Sequence, residues 1–145
     1  MFKTALIGKE QAFNNLLSSF KANRLPHALV ISGEKGIGKK LFAKEICKML
    51  VCRGVSVACG ECAQCHKTEN GVHPDIFNIF PSGKSQTIGV KDIEVIFKNA
   101  FIKPNDADFK VFIINGAERM NRFSQNALLK IIEEPPEYLF FIFTC

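Results

Sequence analysis

Four cysteines crowd into one short stretch: Cys52, Cys59, Cys62 and Cys65, spaced C-x6-C-x2-C-x2-C within fourteen residues. Thiolates suit zinc, and four of them complete its tetrahedral shell with no position left for water. The chemistry expected here is therefore structural metal binding rather than catalysis. His66 adjoins Cys65 and is an alternative ligand, and Cys47 lies about one helical turn before Cys52; Cys47 is expected to pack along its helix. A lone C-x2-C step also occurs in redox dithiols, but four clustered thiols away from a strand-to-helix turn do not fit that use. No signal-peptide-like stretch marks the N-terminus. The six cysteines are expected in a reduced compartment, the cytoplasm, holding metal or packing rather than forming disulfides.

The second cluster is Gly33-Glu34-Lys35-Gly36-Ile37-Gly38-Lys39-Lys40, which fits G-x-x-x-x-G-K between an apolar strand and a helix. Glycines let backbone N–H groups curl around phosphate, the helix N-terminus favours negative charge, and Lys39 reaches the outer oxygens. The candidate phosphate-binding residues are Gly33, Gly36, Gly38, Lys39 and Lys40. The last position departs from the pattern. A Ser or Thr hydroxyl there ligates Mg²⁺, whereas the ammonium of Lys40 has no lone pair to offer and repels a cation. The carboxylates expected after a later strand are missing as well: Ile113-Ile114 leads into Asn115 and Gly116, and Glu118 stands too far along. Two readings follow, an active ATPase or a phosphate-loop scaffold that has lost hydrolysis but keeps an anion cradle; the second is expected. Lys35, Lys39, Lys40, Lys44, Lys48 and Arg53 form either an anion surface or a solvated helix face. His27 and His73, each beside a proline, read as structural.

These residues need a scaffold, and the apolar periodicity supplies one. Phe13, Leu16, Leu17 and Phe20 predict a helix from Gly8 to about Lys21, and Ala28–Ile31 predict a short buried strand. Lys39 to about Val51 is helical, with Phe42, Ile46 and Leu50 on one face. Residues 52–74 show neither period and read as an inserted module. A strand over 75–80, a helix from Val90 to Phe101, a strand over 110–115, a helix carrying Phe123, Ala127, Leu128, Ile131 and Ile132, and a strand over 138–143 complete the series. Strands alternating with helices imply an α/β fold, a parallel sheet covered on both faces. The expected organisation is one domain over 1–145 with the module at 52–74 inserted. The bare apolar strand at the end suggests a piece of a longer protein.

Composition narrows the classes. Of the 145 residues 47% are hydrophobic and 23% charged, which excludes a disordered chain, and no apolar run is long enough to span a membrane. Fourteen Phe with one Tyr and no Trp favour a packed interior over a recognition surface. The net charge of +5 is uneven: residues 1–53 hold ten Lys or Arg against three acids, and residues 54–145 hold nine against eleven. That total is modest for a DNA-binding domain, and no aromatic or Arg cluster accompanies the cysteines, which argues against a nucleic-acid-binding zinc ribbon.

Taken together, Pro26-His27-Ala28-Leu29, the loop Gly33 to Lys39, the four-cysteine insertion, His73-Pro74-Asp75 and the stretch from Asn126-Ala127-Leu128-Leu129-Lys130 to Glu133-Glu134-Pro135-Pro136 resemble bacterial clamp-loader subunits. These are AAA+ proteins of the DNA polymerase III holoenzyme, and the resemblance covers essentially the whole chain. It implies a P-loop NTPase (AAA+) type fold with a structural zinc module. In that family the gamma/tau subunits hydrolyse ATP, and the delta-prime subunit is a stator with a degenerate phosphate loop. Lys40, Asn115 and Gly116 place the chain with delta-prime. The resemblance then implies a hetero-pentameric ring with delta and gamma/tau, acting on the sliding clamp and primed DNA, with zinc as cofactor and no catalytic use of ATP or Mg²⁺. A gamma/tau-type motor is the alternative.

Overall fold

Two apolar runs, too hydrophobic to leave either face in water, form the middle of a four-stranded parallel sheet. The computed structural model describes residues 9–145. Its elements are α1 (Glu10–Lys21), β1 (Ala28–Ile31), α2 (Lys39–Val51), α3 (Ala63–Glu69), β2 (Ile76–Ile79), α4 (Val90–Asn99), β3 (Lys110–Asn115), a 3-10 turn (Ala117–Arg119), α5 (Arg122–Glu133) and β4 (Leu139–Thr144). The strand order is β1-β4-β3-β2. Every residue of β3 is buried, and β4 is buried except at Phe143, as central parallel strands require.

The order dictates the layers. The chain crosses from β1 to β2 over the whole sheet and then steps back through β3 to β4. Right-handed crossovers in opposite directions put α2 on one face and α4 and α5 on the other. Two cores result. Phe13, Phe42 and Ile46 pack on Val111, Ile113 and Phe140 on the α2 face, while Ile93, Ile96, Leu128 and Ile131 pack on Phe112, Ile114 and Phe141 on the opposite face. Phe77, Phe112 and Phe141 are cross-strand partners in register. Their rings stack at 4.9 and 5.8 Å, which uses three of the fourteen Phe.

Helix ends are set by local chemistry. Asn121 Oδ1 accepts the Ser124 N–H at 2.8 Å to start α5, and Asp92 Oδ2 accepts the Gly89 N–H at 2.8 Å to start α4. Lys110, itself buried, donates to Asn99 O at 3.0 Å and Ile102 O at 2.6 Å, closing the carbonyl end of α4.

Several expectations are corrected. The first strand is an edge strand, with Val30 69% exposed; a four-residue apolar run is the same length at an edge as in the middle. The α4 helix stops at Asn99 rather than Phe101, because the lysine cap ends it there, and Phe101 is exposed. Phe123 is 74% exposed, while the less apolar Ser124 is buried because its hydroxyl donates to Ile88 O at 2.8 Å. The strand expected over 75–80 is Ile76–Ile79, and the one expected over 138–143 is Leu139–Thr144. The module expected to be aperiodic contains α3, whose seven residues are too few to display a period. The start expected for α1 at Gly8 lies outside the described residues. Among the described residues no helix is long and apolar enough to cross a membrane.

Candidate metal centre and phosphate loop

Three turns converge to bring the thiols together. Cys52 ends α2 with extended backbone. Cys59 follows Ala58, whose φ is +53°, and precedes Gly60 at +76°. Cys62 is the N-cap of α3, and Cys65 stands in its first turn. The sulfurs of Cys52 and Cys59 are 3.6 Å apart, those of Cys62 and Cys52 3.9 Å, those of Cys59 and Cys65 4.0 Å, and all four lie within 4.8 Å of one another. A tetrahedron with metal–sulfur bonds of about 2.3 Å has edges of about 3.8 Å, so the set fits a four-coordinate thiophilic ion. All six cysteines are free of disulfides. Neither His66 nor Cys47 contributes to the cluster; Cys47 is buried in the α2 core, where desolvation pushes its thiol up to about 12.

Backbone donors hold the sulfurs. Cys52 Sγ accepts from Gly54 and Cys59 N–H, each at 3.4 Å. Cys59 Sγ accepts from Glu61 at 3.4 Å and Cys62 at 3.3 Å, and Cys62 Sγ accepts from Cys65 at 3.5 Å. A Cβ at Gly54 would stand 2.5 Å from Cys59 Sγ, so only glycine lets the backbone pass. Burial opposes ionisation at Cys62, yet the Arg53 and Cys65 backbone donors and the neighbouring thiols bring it down to about 6. Cys65 is driven upward by burial and by its neighbours Cys62 and Cys52. Four sulfurs this close repel one another when ionised, and a divalent ion among them is the group this donor set suits.

The module is tied to the scaffold by polar contacts. Lys48 Nζ lies 3.0 Å from Glu45 Oε1 and 2.5 Å from Glu69 Oε2, Lys67 Nζ 2.5 Å from Asp106 Oδ2, and Arg53 Nη2 3.1 Å from Asp108 Oδ1. His73 Nε2 donates to Gln64 Oε1 at 2.6 Å while its Nδ1 accepts the Asp75 N–H at 3.0 Å, which fixes the tautomer. Burial lowers the His73 pKa. The structural role expected of His73 is borne out. His27 is structural too: its Nδ1 lies 2.7 Å from Leu139 O and its ring stacks on Phe140. The basic run, read as either an anion surface or a solvated helix face, is neither throughout, because Lys48 is buried in its carboxylate cluster and Arg53 faces Asp108.

At the carboxyl ends of the strands, Gly36 and Gly38 have φ of +87° and +91°, the left-handed backbone a loop must adopt to turn into α2. Lys39 Nζ donates to Gly33 O at 2.5 Å and Glu34 O at 3.2 Å, and Lys9 Nζ donates to Ile37 O. Lys40 leaves the loop altogether, its ammonium 5.4 Å from the centre of the Phe80 ring. Asn115 turns toward β2, with Nδ2 bonded to Asn78 Oδ1 at 3.2 Å and Ile79 O at 3.3 Å. Gly116 N–H donates to Thr144 Oγ1 at 3.3 Å, and Thr144 stands in register between Ile31 and Asn115. The positions that would hold a phosphate-bound cation therefore carry an ammonium and a neutral amide, and Glu118 is exposed on the 3-10 turn.

Residues 8–145 match the family described as DNA polymerase III, delta subunit. The chain belongs to that family. It is 37% identical over 139 residues to the Haemophilus influenzae DNA polymerase III subunit tau/gamma, covering 94% of this chain and 20% of the relative. It is 33% identical to the Buchnera aphidicola subunit gamma, covering 94% and 38%, and 32% identical to the Escherichia coli subunit tau, covering 94% and 21%. The chain thus spans between a fifth and two fifths of these relatives. A Thermotoga maritima DNA polymerase III gamma subunit-related protein shares the fold, at a TM-score of 0.55 and 22% identity over 89% of this chain and 38% of that one. In this member of the family Gly54, Asn78 and Thr144 also shape the site, beyond the four thiols and the loop that motif spacing marks. Thr144 carries no local signal, since its partners lie in two other strands; the glycine two residues after Cys52 was the one legible cue.

Proposed function

We propose that the chain acts as a non-hydrolysing, delta-prime-type clamp-loader subunit of a DNA polymerase III holoenzyme. The observation that carries this reading is Lys40, whose ammonium rests on Phe80 where an ATPase needs a hydroxyl for Mg²⁺. Asn115 and Gly116, which bring no carboxylate to the end of β3, support it. In this reading Gly33, Gly36, Gly38, Lys39 and Lys40 form a phosphate-loop scaffold, and ATP and Mg²⁺ have no catalytic use. The 52–74 module is a structural zinc site held by Cys52, Cys59, Cys62 and Cys65, and the ion's part is to tie the end of α2 to α3. The partners are delta and gamma/tau in a hetero-pentameric ring that opens the sliding clamp for primed DNA in the cytoplasm. A rigid domain whose loop needs no nucleotide to hold its shape suits the stator position: Lys39 and Lys9 already occupy carbonyls of the loop.

The second reading is an ATP-hydrolysing gamma/tau-type motor, and relatives of this chain carry the names gamma and tau. Turnover separates the two. In a reconstituted complex, Lys39→Ala in this subunit leaves the Mg²⁺-dependent ATPase rate unchanged if the subunit is a stator. A rate lost with that substitution overturns the stator reading and leaves the motor.

A further inference from the structure

A cavity of about 250 Å³ opens on the α2 face of the sheet, between α2, the end of the cysteine module, and strands β2 and β3; none of the loop residues Gly33–Lys39 lines it. Its buried wall combines apolar Ala43, Cys47 and Ile113 with polar Thr68 and His73, and its exposed members include Lys40, Asn78 and Phe80. Asn115 also lines it and is only 5% exposed.

The amide contacts leave two polar atoms unspent. Ile79 O accepts only, so the Asn115 atom 3.3 Å from it is Nδ2. The Asn78 atom 3.2 Å from that nitrogen must then be Oδ1. Asn78 Nδ2 is left as a donor and Asn115 Oδ1 as an acceptor, with no protein partner for either among the described residues. No side-chain polar atom of the described residues is both sealed from solvent and unbonded, so Asn115 Oδ1 keeps some accessible surface on a residue that lines the cavity. The cation there is unpaired as well. Lys44 has Glu69 at 3.7 Å, but Lys40 has no carboxylate within ion-pair distance among the described residues, only the Phe80 ring. An almost buried acceptor, an uncompensated ammonium and a half-open aromatic face around one buried wall form the pattern of a ligand site. The volume lies just below the roughly 300 Å³ at which pockets for drug-sized molecules begin, so the occupant is small.

We propose that this cavity binds a small ring-bearing anion. Its carboxylate or phosphate group meets Lys40, its flat body lies against Phe80 and the apolar part of the wall, and an N–H or O–H group donates to Asn115 Oδ1. Hydroxyaryl carboxylates and mononucleotides share that chemistry. The site borders the phosphate loop at Lys40 but is lined by none of Gly33–Lys39, and it stands whether or not the loop has lost hydrolysis.

The test titrates the chain with 4-hydroxybenzoate and, separately, with adenosine 5′-monophosphate, following the side-chain amide resonances of Asn78 and Asn115 by NMR. Inorganic phosphate serves as the ringless control. At least one ring-bearing anion shifts both resonances saturably, and the pair of titrations tells which source it is. Lys40→Met weakens that binding about tenfold or more through loss of a charge-assisted bond. Asn78→Ala, at an exposed position whose loss does not threaten folding, weakens it severalfold. The proposal is overturned if neither ring-bearing anion saturates, or if Lys40→Met binds as wild type does. It is also overturned if inorganic phosphate alone reproduces the shifts at equal affinity, or if the shifts fall on the Gly36 and Gly38 amides instead.

Discussion

In the proposed zinc site Cys62 would have two separable roles, and a serine keeps one while destroying the other. Its sulfur stands 3.9 Å from Cys52 Sγ in the thiol cluster and also accepts the Cys65 N–H at 3.5 Å as the N-cap of α3. A serine hydroxyl caps a helix well, a preference worth about 1 kcal/mol over a non-capping residue, but a neutral hydroxyl is a poor ligand for zinc. Cys62→Ser is therefore expected to match wild type in chelator and to lag far behind it in zinc. With zinc a thousandfold above its Kd, wild type gains about 4 kcal/mol by mass action. At roughly 4 °C per kcal/mol for a chain of this size, that is about 15 °C in Tm, and the variant forgoes most of it. The assay is thermal unfolding of both proteins with and without zinc, with metal analysis and hydrogen exchange alongside. The contacts Gln64–His73, Lys67–Asp106 and Lys48–Glu69 do not involve the ion, and both cores lie mainly outside the module. Metal loss is thus expected to strip protection from residues 52–70 while the sheet stays protected. Equal midpoints for wild type and variant under both conditions would refute the metal assignment, as would a metal-free wild type fully protected over 52–70.

Two further outcomes follow from buried polar groups. His73 is neutral in the fold with its pKa held below the ordinary 6.5 by burial. The unfolded chain therefore binds the extra proton first, and stability falls as pH drops through about 6.5 toward the folded value. Urea midpoints measured at about pH 7.5 and 5.5 should converge in His73→Gln relative to wild type; an unchanged pH slope in the variant would count against this. Asp75 is fully buried and accepts the N–H groups of Asn105, Asp106 and Ala107 at 2.6, 2.7 and 2.8 Å. Asp75→Ala leaves three donors unpaired at about 1–3 kcal/mol each, so a loss of about 3 kcal/mol or more is expected in chemical denaturation. A loss under about 1 kcal/mol would mean that water replaces the carboxylate.

Much of the candidate site is legible in one dimension because its chemistry is local. The cysteines fall within fourteen residues, and the turns between α2 and α3 gather them into one cluster. The glycine pattern before Lys39 likewise specifies a loop whose positive φ values only its glycines accept readily. The element series is legible for a similar reason: buried parallel strands are continuously apolar, and helices long enough for three turns show their period. Short or two-sided cases are not. The α3 helix is too short to show a period, and Phe123 and Ser124 exchange the burial their hydropathy predicts because Ile88 O supplies a partner that lies far away in sequence.

By itself, then, the sequence determined the α/β class, the thiol cluster, and the replacement of metal-binding groups by Lys40 and Asn115, since each depends on residue type and nearby spacing. Tertiary structure alone decided where those replacements point. Strand order puts Asn78 beside Asn115 and Phe80 under Lys40, pairings across 37 and 40 positions that no local pattern encodes. It also decided that β1 is an edge, that Thr144 sits between Ile31 and Asn115, and that Lys48 is buried among carboxylates rather than solvated. The physical reason is the same throughout: backbone conformation and ligand clusters are set by neighbours in the chain, whereas burial and partner choice are set by neighbours in space.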